Sequence, residues 1–162
     1  MLALVVAAVT TAGPAPAVPP LVEPDETTAA RAPAGPPPVE ALRAWDAQRA
    51  EAWARGDPRL LTALYTPGSV AGRHDRAMLR AWAARALVVR GMRTQLLAVH
   101  ELAHTRSTWT LQVTDRLVGG LAVGPGVRRA LPRDAATTRT VRLRLVGGSW
   151  LVSAVEPLDP GP

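Results

Sequence analysis

Residues His100 to His104 read HELAH, the H-E-x-x-H spacing that holds a zinc ion when it falls on a helix. There the two histidines lie one turn apart on one face, and Glu101 can act as general base on a metal-bound water. The segment 92–106 contains no proline and permits a helix. A catalytic zinc also needs a third protein ligand. Where the longer version of the pattern places Gly and His, this chain has Ser107 and Thr110, and His74 lies far upstream. Asp115, Asp134 and Glu156 are the remaining candidates. On a strand, alternation again puts positions 100 and 104 on one face, but about 13 Å apart at ~3.3 Å per residue, too far to share one ion. The strand at 109–117 needs a partner, and 92–104 supplies one through a turn at 105–108. We therefore expect a strand and no metal, with a zinc hydrolase using His100, His104 and Glu101 as an alternative.

Asp115 is the second residue with chemical promise. It shares a face with Trp109, Leu111, Val113 and Leu117 in an alternating stretch. A carboxylate on an apolar face is desolvated and can serve as a base; near a strand end it more commonly caps turn amides or pairs with an arginine. No second inward acid is evident. Gly119-Gly120 and Gly124-Pro125-Gly126 lack the lysine and helix of a phosphate loop, and no serine stands in a nucleophile-elbow frame. His74-Asp75 reads as the start of a helix.

The 162 residues suit one domain and a tail. All 19 basic residues are arginine, and the formal net charge is +6. The arginines are scattered and not interleaved with aromatics, which argues against nucleic-acid binding. There is no cysteine, hence no disulfide, thiolate metal site or lipoprotein attachment. With no Phe and one Tyr, aromatic packing falls on Trp45, Trp53, Trp82, Trp109 and Trp150.

Leu2 to Val9 is a short apolar run, below the ~20 residues that span a bilayer, and Ala15-Pro16-Ala17 has the form of a signal-peptidase site. Residues 1–17 therefore read as a signal peptide; since no basic residue precedes the run, either the start is set too far downstream or the segment is the remnant of a longer anchor. Nine prolines in 13–38 make residues 18–38 an extended linker. The folded domain is expected over 39–158. Val39 to Arg55 has helical spacing, Gly56 stops it, and Asp57-Pro58 starts a short second helix carrying Leu60, Leu61, Leu64 and Tyr65. A third helix is expected from Asp75 to Ala86, burying Met78, Leu79 and Trp82, with Gly91 as its exit. Thereafter Trp109–Leu117 and Thr140–Leu145 alternate, a loop spans Gly119 to Asp134, and Gly147-Gly148 turns into a last strand from Trp150. Helices followed by strands give an α+β fold: three helices on an antiparallel sheet.

Gly56-Asp57, Leu64-Tyr65 and the closing GGSWLVSAVEPL resemble the nuclear-transport-factor-2-like (SnoaL-like) superfamily over about residues 39–157. The resemblance implies a cone of helices closed by a bent antiparallel sheet, and a homodimer through that sheet. It also implies a pocket, here lined by Trp45, Trp53, Tyr65, Trp82, Trp109 and Asp115. Members include isomerases, cyclases and binding modules, so fold alone assigns no activity. In ketosteroid-isomerase-like members a Tyr and acids converge in the pocket, and Tyr65 is the only tyrosine here. The expectation is a noncatalytic module of the cell envelope, without cofactor, that binds a small apolar ligand or an envelope protein. It would be exported or anchored outside the cytoplasmic membrane, touching the membrane only through its N-terminal segment. The rival is a SnoaL-like isomerase or cyclase with Asp115 as base.

Overall fold

The structure, a computed structural model, describes residues 36–158. The signal-like segment and almost all of the proline-rich linker lie outside the described residues.

Helix α1 spans Pro38–Arg55, with proline in its first turn and Gly56 as a left-handed C-cap at φ 64°. Asp57 then caps the short α2, Pro58–Thr62, by accepting the Arg59 amide at 2.9 Å. The chain leaving α2 is sewn to the last strand: Thr66 N donates to Val152 O at 3.1 Å, and Val152 N to Leu64 O at 3.0 Å.

Helix α3 spans Val70–Ala83, starting earlier than the expected Asp75. Its N-cap is Ser69, whose hydroxyl accepts the Gly72 amide at 3.3 Å. Gly72 obscured this start, since glycine in a first turn reads as loop. Glycine stands there because a Cβ would sit 2.6 Å from Cγ of Tyr65. His74-Asp75 is therefore inside the helix. Gly72, Asp75 and Leu79 form its buried face, while Met78, expected in the core, is 54% exposed.

Five strands follow: β1 Val88–Thr105, β2 Thr108–Gly124, β3 Val127–Ala130, β4 Thr137–Val146 and β5 Ser149–Pro157. All pair antiparallel, in the order β1-β2-β4-β5, with β3 beside β4 on the far edge of β2. The expected loop 119–134 is thus largely strand. Gly120 fits there because a Cβ would lie 2.9 Å from Leu131 Cδ1. Gly91, expected to end a helix, sits within β1 at a register shift with φ 62°. Gly147 and Gly148, at φ 56° and 82°, make the β4–β5 turn, the double positive φ that a two-residue hairpin favours.

Two further register shifts in β1 skip Leu97 and Leu102. Such bulges bend a strand and reset which face its side chains occupy. The helices cover the inner face of the sheet. Between them lies a core of Trp53, Leu61, Leu79, Leu111, Val113, Leu143 and Val152, all buried.

Candidate functional site

HELAH lies on β1, not on a helix. The bulge at Leu102 also alters the face expected from simple alternation. His100 pairs with Gln112 and His104 with Trp109, an even and an odd position of β2, which therefore point to opposite sides. Glu101, opposite Leu111, comes onto the face of His104, and the two side chains touch. His100 and His104 therefore cannot ligate one ion. Among the described residues, no three His, Cys, Asp or Glu are grouped closely enough to hold a metal.

A cavity lies between α1, α3 and the inner sheet face, with a volume of about 460 Å³. It is built from α1 outward. Leu42, Trp45, Asp46, Arg49 and Trp53 recur at helical spacing, so one stripe of α1 lines it with both apolar and ionisable groups. Tyr65, Trp82 and Asp75 close it from the α2–α3 side, and Thr94, Leu96, Val113, Asp115 and Val141 from the sheet. Trp109, expected in this lining, is absent from it. It stacks on Trp150 at 3.9 Å between ring centroids and is buried to 2% exposure.

Asp75 is the hub of the cavity floor. Its carboxylate accepts from Arg49 Nε and Nη2 at 2.7 and 2.9 Å, Trp53 Nε1 at 3.1 Å and the Tyr65 hydroxyl at 2.8 Å. Burial alone would lower the Arg49 pKa, but its bonds to Asp75 and that carboxylate's charge outweigh this and raise it. Burial, then the Asp75 charge, pushes the Tyr65 hydroxyl well above the ordinary tyrosine range, so it stays protonated and donates. The guanidinium of Arg49 also lies 6.0 and 5.9 Å from the Trp45 and Trp53 rings. Trp45 donates to Leu64 O at 3.0 Å and meets Tyr65 edge-on. With four donors on two oxygens, Asp75 is fully engaged and acts as a structural anchor.

Asp115 does face the cavity, but as half of an ion pair. Arg139 stands opposite Val113 on β4, one diagonal step away, and its guanidinium pairs with the Asp115 carboxylate. The reading of no second inward acid is corrected: Asp46, Asp75 and Asp134 line the same space. Of the carboxylates inside the rim, Asp46, Asp75 and Asp115, Asp46 is the least committed. Thr94 is its hydrogen-bond partner, through Oγ1 at 3.1 Å and through the backbone amide. Desolvation by burial, aided by the charge of Asp115, raises its pKa despite the bond from Thr94 and the nearby Arg49. The signal for Asp46 and Arg49 was present in the sequence: both fall on the stripe that joins Leu42, Trp45 and Trp53.

Helices lining a cavity that a bulged antiparallel sheet closes define the cone fold of nuclear-transport-factor-2-like proteins. No family model and no curated protein matches the sequence. Solved structures do match. The intermembrane-space region of chloroplast protein ARC6 superposes with a TM-score of 0.55 at 10% identity, over 74% of this chain and 92% of that one. An NTF-2 like protein of unknown function from Shewanella oneidensis MR-1 gives 0.47 at 12% identity, over 76% and 100%. A member of the NTF2-like family from Streptomyces avermitilis gives 0.46 at 19% identity, over 75% and 97%. The first of these shares the fold of this chain, and the three helices packed on a five-stranded antiparallel sheet follow the cone plan of nuclear-transport-factor-2-like proteins. At these identities the likeness is one of fold, and function must be argued from the cavity.

Proposed function

We propose that the protein is a noncatalytic binding module whose cone holds one small, mainly apolar molecule. The observation that carries this reading is the cavity itself. About 460 Å³ falls within the range of ligand pockets. Its walls are aromatic and aliphatic, and a few polar groups are held in place by neighbours. The rigid floor of Asp75, Arg49, Trp53 and Tyr65 pre-organises it, which lowers the ordering cost of binding. An isomerase or cyclase with Asp115 as base is less well supported, because Arg139 already pairs with that carboxylate and occupies it. A zinc hydrolase on HELAH does not fit the strand geometry.

The setting we propose for this module is outside the cytoplasm. The apolar run at Leu2–Val9, the small residues of Ala15-Pro16-Ala17 and the proline-rich tether support export or anchoring, with an envelope partner or a homodimer through the sheet as companions. Exposed Leu97, Leu102 and Val146 on the strands are consistent with a sheet-mediated contact.

Fluorescence titration with neutral N-phenyl-1-naphthylamine tests the binding function. Saturable binding of one molecule per chain is expected, weakened about tenfold or more when Val155→Trp fills part of the cavity. A linear, non-saturating response in the folded protein contradicts it.

A further inference from the structure

The cavity has the opposite sign to the protein around it. The chain carries a formal +6, all of its basic residues being arginine. Yet the cavity lining contains four carboxylates, Asp46, Asp75, Asp115 and Asp134, against only two guanidiniums, Arg49 and Arg139. Both guanidiniums are committed, Arg49 to Asp75 through two hydrogen bonds and Arg139 to Asp115. Two formal negative charges are left over. Asp134 is exposed at the rim, whereas Asp46 is half-buried on the α1 stripe.

Asp46 is placed as a recognition group would be. Its hydrogen-bond partner among the described residues is Thr94, through the hydroxyl to Oδ1 and through the backbone amide, and no guanidinium is hydrogen-bonded to it. Thr94 stands opposite Leu117, and Leu96 opposite Asp115, so leucines alternate with the polar groups around it. A charged carboxylate in such surroundings costs free energy unless a cation or donor meets it. An anionic occupant would add repulsion, and a neutral apolar one would strip water from Asp46 and return nothing.

Resting on the binding function proposed above, we propose that the occupant is a protonated amine with an apolar body, its ammonium group held by Asp46 within reach of the Asp115 charge. The hydrocarbon part lies against Leu42, Leu96 and Leu117, and the ammonium donates to the Asp46 carboxylate, to which no guanidinium is hydrogen-bonded. Charge-assisted hydrogen bonds of this kind are about twice as strong as neutral ones.

The test is calorimetric titration of the full chain at low salt with three probes of one shape: 1-naphthylmethylammonium, 1-naphthylmethanol and 1-naphthoate. The ammonium should bind about tenfold more tightly than the alcohol, and the naphthoate most weakly. In Asp46→Asn the preference for the ammonium should vanish; in Glu40→Gln, an exposed acid of α1 outside the lining, it should persist. If the alcohol or naphthoate binds as tightly as the ammonium, cation selection is wrong and the binding module stands. If the preference survives in Asp46→Asn, the assignment to Asp46 is wrong. If none of the probes binds the folded protein, both proposals fall.

Discussion

His100 and His104 point to opposite faces of β1, because the bulge at Leu102 reverses the alternation between them. A pair so arranged cannot close on one metal ion, whose ligands must each approach within ~2 Å. Protein dialysed against excess zinc should therefore hold no stoichiometric metal through this pair, and a chelator should leave its unfolding midpoint unchanged. His100→Ala should alter neither result. Stoichiometric zinc that disappears in His100→Ala would sink this geometry.

Asp75 on α3 ties α1 and the segment leaving α2 to that helix through Arg49, Trp53 and Tyr65. Removing it leaves a partly buried guanidinium and two donors without their acceptor. Asp75→Ala should lose roughly 3–5 kcal/mol in chemical denaturation. Tyr65→Phe, which deletes one hydrogen bond and leaves the ion pair, should lose about 1 kcal/mol. Equal losses in the two variants would show that Asp75 is not the hub.

Gly72 faces the Tyr65 ring at a distance no Cβ can occupy, 2.6 Å. On helix propensity alone Gly72→Ala should stabilise α3 by about 1 kcal/mol. Overpacking against a buried ring should reverse the sign, for a net loss of about 1–2 kcal/mol and a shift in the near-ultraviolet signal of Tyr65 and Trp45. A more stable variant would mean that the ring moves aside freely.

The raised pKa of Asp46 makes its effect on stability depend on pH in a definite direction. A carboxyl whose folded pKa lies above its ordinary 3.8 favours the fold while it is protonated, and loses that contribution as pH rises through the folded value. Asp46→Asn should thus match the wild type below the ordinary carboxylate range and unfold at a higher temperature above it. The gap should open across the interval between the two pKa values and then stay constant to neutral pH. A variant less stable than wild type at neutral pH would contradict a desolvated Asp46. Stability given up at a ligand site is a recognised exchange for function.

The fold was legible where local chemistry and tertiary structure agree. Gly56 and Asp57-Pro58 punctuate the helices as read, Trp109–Leu117 alternates as a strand, and Gly147-Gly148 turns the last hairpin. Legibility failed where a distant side chain decides the matter. Glycine stands inside the first turn of α3 at Gly72 because Tyr65 leaves no room for a Cβ, and the bulges at Leu97 and Leu102 break a period that sequence alternation assumes. In the cavity, Trp45, Trp53, Tyr65, Trp82 and Asp115 were named from sequence and line it, whereas Trp109 stacks on Trp150 instead. Asp46 and Arg49 went unnoticed because charged residues on an amphipathic helix normally read as its solvated face; their position in the tryptophan stripe marks them as inward.

The central claim, an occupied cone, is tested most directly by the five indole N–H resonances in a ¹H–¹⁵N spectrum recorded with N-phenyl-1-naphthylamine. Trp45, Trp53 and Trp82 line the cavity, while Trp109 and Trp150 stack on each other outside the set of lining residues. Saturating probe should shift the first three and leave the stacked pair in place. Shifts confined to Trp109 and Trp150, or no shift at all, would contradict it.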